Sequence, residues 1–297
     1  MPDDAAAARV AAVEADAAEA DAAFSHPAVP PDATAAYGEH PDQVVDFYGP
    51  RIATEAPAPL VVALHGGAWR APYDRQHLTP FVDFLARRGF AVANVEYRRG
   101  SSIPAQGGGP AAGRWPETFD DVAAAFDALP ALVAEFLPSA DIRRTVVTGH
   151  SAGGHLALWA ASRHVLPTGS PWRIDRPAPF RGVVALAPIA DLRAARELDV
   201  CSDAPVQLLG GEGKFDERLA HADPAALLPT GIATAIVQGR TDIVVPQAVS
   251  EAYADAAAKA GEVVGVTLLE DVGHFPLIDP AADACAVVAE EIAQLAF

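Results

Sequence analysis

The chain has 297 residues, 51% of them hydrophobic, which is enough apolar surface for a large core in one α/β unit. Lys and Arg number 21 against 39 Asp and Glu, and the formal charge of −18 argues against nucleic-acid phosphates and anionic membrane surfaces as partners. Two cysteines make no disulfide framework, no apolar run reaches membrane-span length, and the start lacks the pattern of a secretory signal, so a cytoplasmic protein with free thiols is expected.

Residues 1–36 read as an Ala/Asp/Glu-rich extension, followed by one domain over 37–297. Up to Phe24 the larger apolar residues are Val10 and Val13, so the stretch predicts a marginal helix, docked through those valines or frayed. Ser25 to Ala36, with Pro27, Pro30 and Pro31, reads as a linker or surface wrap. Gln43 to Tyr48 alternates as a first strand, and Leu60 to Leu64 is a continuous apolar strand of the kind buried on both faces. A helix over His77 to Arg88 ends at Gly89, and Phe90 to Val95 is the next strand. Gly100 to Gly113 is rich in glycine and proline and reads as irregular; its Gly107-Gly108-Gly109 lacks the lysine of a phosphate loop. Pro116 opens a helix with Glu117, Asp120 and Asp121 at the positive end of its dipole. Further strands are predicted at Arg144 to Thr148, Arg181 to Leu186, Ala233 to Val237 and Gly265 to Leu269. Helices follow at Gly154 onward, Gln247 to Ala260 and from about Pro280, while Ala187 to Gly231 reads as irregular, a lid or pocket wall. Strands alternating with helices imply a mostly parallel sheet covered on both faces.

In such a sheet the ligand site lies outside the carboxyl ends of the strands, and four segments with useful chemistry arrive there. They are His65 to Trp69, Ser151, Asp242 and His274, each directly after a predicted strand. Gly149-His150-Ser151-Ala152-Gly153 is a G-x-S-x-G turn, which presents a serine hydroxyl above the sheet in strained geometry. A serine needs a base, which His274 is placed to be, and the base needs an orienting acid, which Asp242 is placed to be. The backbone of Gly66, Gly67 and Ala68 and the amide of Ala152 are the expected oxyanion donors. Alternatives stand beside each: a tight turn without chemistry for Ser151, a strand-end turn for His65-Gly66-Gly67, a helix cap for Asp242 with Asp271 as rival acid, and a surface role for His274. His150 reads as a packing or hydrogen-bonding neighbour, and Trp69, His150 and Phe275 as pocket residues, with buttressing of the loop as the alternative for Trp69. His77, His155, His164 and His221 lack metal-ligand spacing with carboxylates or cysteines, so no metal is expected.

These residues resemble the α/β-hydrolase superfamily from about Tyr37 to the carboxyl terminus. His65-Gly66-Gly67-Ala68-Trp69 looks like the HGGxW motif of kynurenine formamidases and small carboxylesterases, near the hormone-sensitive-lipase-like group. Tyr97-Arg98, Trp115-Pro116 and Asp120-Asp121 are similar to segments shared across that group. The resemblance implies an α/β-hydrolase fold with at most a small lid, a Ser151/Asp242/His274 triad, no cofactor, and a small ester or aryl formamide as substrate. Ala68 stands where many relatives carry glycine, which implies a negative φ there. A non-catalytic hydrolase fold used as a ligand receptor is the alternative from another class, and an aminopeptidase-like hydrolase the alternative among enzymes.

Overall fold

The chain opens in a helix, α1 (Pro2–Phe24), in the computed structural model, which describes residues 2–53, 56–100 and 111–297, with main chain alone for 2–5. Most of the expected irregular stretch between Gly100 and Gly113, including Gly107-Gly108-Gly109, lies outside the described residues. The valines do not dock α1. Val10 and Val13 are 57% and 60% exposed, and the helix packs through Asp16, Glu19 and Ala23 instead. An alanine helix offers little apolar area, so close backbone approach and a few polar contacts decide which face turns inward.

Among the described residues one eight-stranded sheet runs in the order β1-β2-β4-β3-β5-β6-β7-β8. The strands are β1 (Ala33–Ala36), β2 (Val44–Tyr48), β3 (Ala58–Leu64), β4 (Ala91–Val95), β5 (Ala140–His150), β6 (Gly182–Leu186), β7 (Thr234–Gly239) and β8 (Val264–Leu269). β1 and β2 pair antiparallel at one edge, and from β4 to β8 every pairing is parallel. β1 lies inside the expected 1–36 extension, so that extension contributes the sheet's edge strand. Its short Ala-Thr-Ala-Ala stretch carries too little β-propensity to stand out in the sequence.

All seven residues of β3 are buried, as its unbroken apolar run requires. Leu60, Val62 and Leu64 face one core layer, shared with α3 (Glu117–Phe136), α4 (Ala152–Ala161) and α8 (Gln247–Lys259). Val61 and Ala63 face the other, shared with α2 (Thr79–Arg87) and α9 (Asp283–Ala296). Arg98, just past β4, is held bidentate by Asp121 of α3 at 2.8 and 2.6 Å, which ties a strand end to a helix start.

The stretch 187–231 is helical, not irregular. It forms α5 (Leu192–Glu197), α6 (Ala204–Leu208) and α7 (Glu212–Ala222), with a short 3₁₀ turn at Pro224–Leu227. Asp191 caps α5 by accepting from Ala194 N at 2.9 Å, and Asp223 accepts from Leu192 N at 3.0 Å. Helices this short lack the periodicity that marks longer ones, so polar caps and burial must supply what propensity does not.

Leu60→Ala removes a fully buried side chain at the centre of β3, far along the strand from its carboxyl end. It should lower unfolding free energy by about 2–5 kcal/mol in urea titrations with an unchanged m-value.

Candidate active site

β5 ends at His150 and α4 starts at Ala152, so Ser151 alone makes the turn between them. Its φ of 56° and ψ of −117° place a non-glycine residue in a region that costs on the order of 1–3 kcal/mol. Packing sustains that strain: a Cβ on Gly149 would lie 2.2 Å from Gly153 O, and one on Gly153 would lie 2.1 Å from Leu64 O. Ser151 N donates to Leu186 O at 2.8 Å, and its carbonyl accepts from His155 N at 3.1 Å. The main chain is thus pinned to β6 and α4 on either side of the hydroxyl.

Asp242 follows β7 and is 6% exposed. Its Oδ1 accepts from Val244 N and Val245 N, both at 2.8 Å, and its Oδ2 accepts from His274 Nδ1 at 2.6 Å and from Gln238 Nε2 at 3.2 Å. Asp242 caps no helix, since α8 begins at Gln247 with Pro246 as its N-cap; one oxygen instead holds the turn after β7 while the other meets His274. Gln238 is itself oriented by Ser250 Oγ, which donates to its Oε1 at 2.9 Å. Asp271 lies past β8, carries a left-handed φ of 54°, and is not the partner of His274.

His150 supports the histidine segment from beside it. Its Nε2 donates to His274 O at 3.0 Å, and the two rings lie 4.3 Å apart. Burial, then the neighbouring His274, pushes its pKa well below the ordinary histidine value, so it stays neutral.

Gly67, Ala68 and Trp69 have φ of 100°, 51° and 55°. Ala68 therefore does not take the negative φ expected of it. The left-handed run is over-determined from outside: Trp69 O accepts from Gly100 N at 2.9 Å and Gly113 N at 2.8 Å. Trp69 is also not a pocket residue. It is fully buried and packs edge-on against His155 at 5.1 Å, buttressing the loop. The amides of Gly67, Ala68 and Ala152 donate to no described residue.

The loop is clamped by groups that had no assigned role in the sequence. His65 is fully buried, with Nε2 2.8 Å from Glu96 Oε1 and Nδ1 2.8 Å from Gly66 O. Tyr97 stacks on it at 4.3 Å and donates its hydroxyl to His65 O at 2.7 Å. Glu96 also accepts from Arg75 N at 2.9 Å and pairs with Arg99. Burial alone would raise its carboxyl, but the His65 and Arg99 charges and these hydrogen bonds outweigh it and hold the group at about 2.

Ser151, His274, Gly67 and Ala68 open onto one cavity of about 210 Å³. Phe24, Tyr73, His77 and Phe275 form an aromatic wall, while Arg70, Cys201, Ser202 and Val244 close the other side. Cys201 and Cys285 are both free thiols. A larger cavity, about 570 Å³, lies near the start of β5 among Phe126, Leu129, Ile142 and Phe180 and receives none of the strand-end residues. Among the described residues no cluster of His, Cys, Asp or Glu is placed to hold a metal, and no helix is long and apolar enough to cross a membrane.

The BD-FAE family model matches residues 45–256, about 71% of the chain. The chain belongs to the BD-FAE family. The matched part of this BD-FAE protein holds Ser151 and Asp242, and His274 follows beyond it. The chain is 25% identical over 255 residues to esterase LipC of Mycobacterium tuberculosis (strain ATCC 25618 / H37Rv), covering 82% of this chain and 60% of LipC. It is 28% identical over 140 residues to the probable carboxylic ester hydrolase LipM of the same organism, covering 45% of this chain and 30% of LipM. Esterase B from Lactobacillus rhamnosis superposes with a TM-score of 0.70 at 21% identity, over 100% of this chain and 97% of that one. The fold is that of the α/β-hydrolases.

Glu96 supplies a pH test of the clamp. Its folded value of about 2 lies below its ordinary 4.5, so its contribution to stability is present above pH 4.5 and lost as pH falls towards 2. Wild type should lose stability across that window in denaturant titrations. Glu96→Gln should flatten the loss there and cost about 3–5 kcal/mol at neutral pH, as removal of one buried partner does.

Proposed function

We propose that the protein is a serine carboxylesterase of small esters. The observation that carries this is the 2.6 Å bond from His274 Nδ1 to the buried Asp242, on the wall of the same cavity that Ser151 enters from its strained turn. With Nδ1 donating to Asp242, the tautomer leaves Nε2 free to accept a proton. No hydrogen bond joins the Ser151 and His274 side chains in this structure; such bonds often tighten only around bound substrate.

In the proposed reaction Ser151 Oγ attacks the ester carbonyl carbon as His274 Nε2 takes its proton. The carbonyl oxygen becomes an oxyanion, met by the amides of Gly67 or Ala68 from the loop and of Ala152 at the start of α4. Collapse breaks the carbon–oxygen bond to the alcohol, which leaves with the proton from His274. Water, deprotonated by the same nitrogen, then attacks the acyl-enzyme and releases the carboxylic acid and Ser151. Asp242 holds the ring through Nδ1 and stabilises the imidazolium as it forms.

The ester reading is favoured over the arylformamide one because the similar proteins are named as esterases. Esterase B has also been solved with a C4–C4 tributyrin phosphonate inhibitor, which suits a phosphonate-reactive serine in this fold. A cavity of about 210 Å³ fits short acyl groups better than long ones.

Ser151→Ala should lower kcat on p-nitrophenyl acetate by about 10⁴–10⁶-fold. Activity retained in that variant contradicts the proposal. Wild type should also prefer acetate to long-chain p-nitrophenyl esters and turn over N-formylkynurenine more slowly by kcat/KM; faster turnover of the formamide would replace the ester reading.

A further inference from the structure

The aromatic wall of the cavity draws one member from the far amino end of the chain. Phe24 is the last residue of α1, 21 positions before the family match begins at residue 45. Its ring meets His77 edge-on at 5.6 Å and Phe275 at 5.3 Å, and lies 6.4 Å from Tyr73. It remains 39% exposed and lines the cavity that Ser151 and His274 also line.

The helix that carries Phe24 is fixed to the catalytic edge by a fitted contact. Glu19 Oε1 accepts from Gly273 N at 3.0 Å, directly before His274. A Cβ on Gly273 would lie 2.1 Å from Glu19 Oε2, so a larger residue there would displace the Glu19 carboxylate from this contact. His26, two residues past the helix, bonds Asp279 at 2.7 Å and secures the exit of the chain. Between these anchors Phe24 has little freedom to withdraw from the cavity.

We propose that Phe24 is a specificity-determining residue whose ring limits the length of the apolar group that the cavity accepts. The proposal deepens the esterase reading and rests on it. The ring bridges the oxyanion-loop side of the site, through Tyr73 and His77, and the His274 side, through Phe275. It therefore caps a group extending in either direction from the reacting carbon. The short-ester preference then comes from α1 as well as from the hydrolase core.

The test compares kcat/KM for p-nitrophenyl acetate and hexanoate, which vary the acyl group, and for methyl and hexyl acetate, which vary the alcohol. Each newly buried methylene is worth about fourfold, so Phe24→Ala should raise the long-to-short ratio by about tenfold or more in at least one series. Phe24→Trp should lower it, and serves alone if the alanine variant fails to fold by thermal melting. Glu19→Ala, which releases the anchor without touching substrate, should move the ratio in the same direction as Phe24→Ala, while Val10→Ala on the exposed face should leave it at the wild-type value. Turnover by every variant with wild-type ratios in both series overturns the role of Phe24 and leaves the esterase reading standing. A wild type inactive on every ester overturns both.

Discussion

The edge that carries Ser151 depends on the close approach of three backbone segments at one point: the end of β3, the end of β5 and the start of α4. Gly149 and Gly153 permit contacts that any Cβ would forbid, and Ser151 between them is held at a φ of 56°. A strained serine persists only where its surroundings over-determine it, and here the main-chain bonds to Leu186 and His155 do so. The same geometry puts the Ala152 amide at a helix N-terminus, beside the hydroxyl, where the dipole favours negative charge. Relaxing any one of the three segments would shift the Ser151 hydroxyl and the Ala152 amide together.

Around that point the structure spends buried polar groups on orientation. His65 and Glu96 form a dry pair whose visible effect is to fix the backbone of the Gly66–Trp69 loop, not to meet substrate. Gln238 and Ser250 do the same for Asp242, and His150 for the carbonyl of His274. Groups held this way need little reorganisation when charge develops, which is how preorganised sites stabilise a transition state.

The parallel sheet and the strand-end positions of Ser151, Asp242 and His274 were legible in the sequence, because continuous apolar strands and a short glycine-framed turn are local signals. What stayed hidden depends on partners distant in the chain. Glu96 carries no signal in its own stretch, because its partner His65 lies 31 residues away in the chain. Trp69 looked like a pocket wall because its motif says nothing of which way the loop turns, and the left-handed φ of Ala68 sends the indole into the core. The docking of α1 was misread for a related reason: the valines were its larger apolar residues, yet Glu19 finds its partner in a glycine 254 positions on. The short helices between Ala187 and Gly231 carry no sustained period, and the start of α5 is set by Asp191 and by Asp223, which lies 31 residues beyond the amide it accepts from.

The central claim is that Ser151 is an activated nucleophile. The most direct measurement is reaction of the folded protein with a fluorophosphonate, followed by peptide mapping in a mass spectrometer. The account predicts one stoichiometric phosphonyl adduct, carried by Ser151, formed fast in native protein and not formed in protein unfolded before the reagent is added. An adduct on another residue, or a native protein left unlabelled, would contradict it.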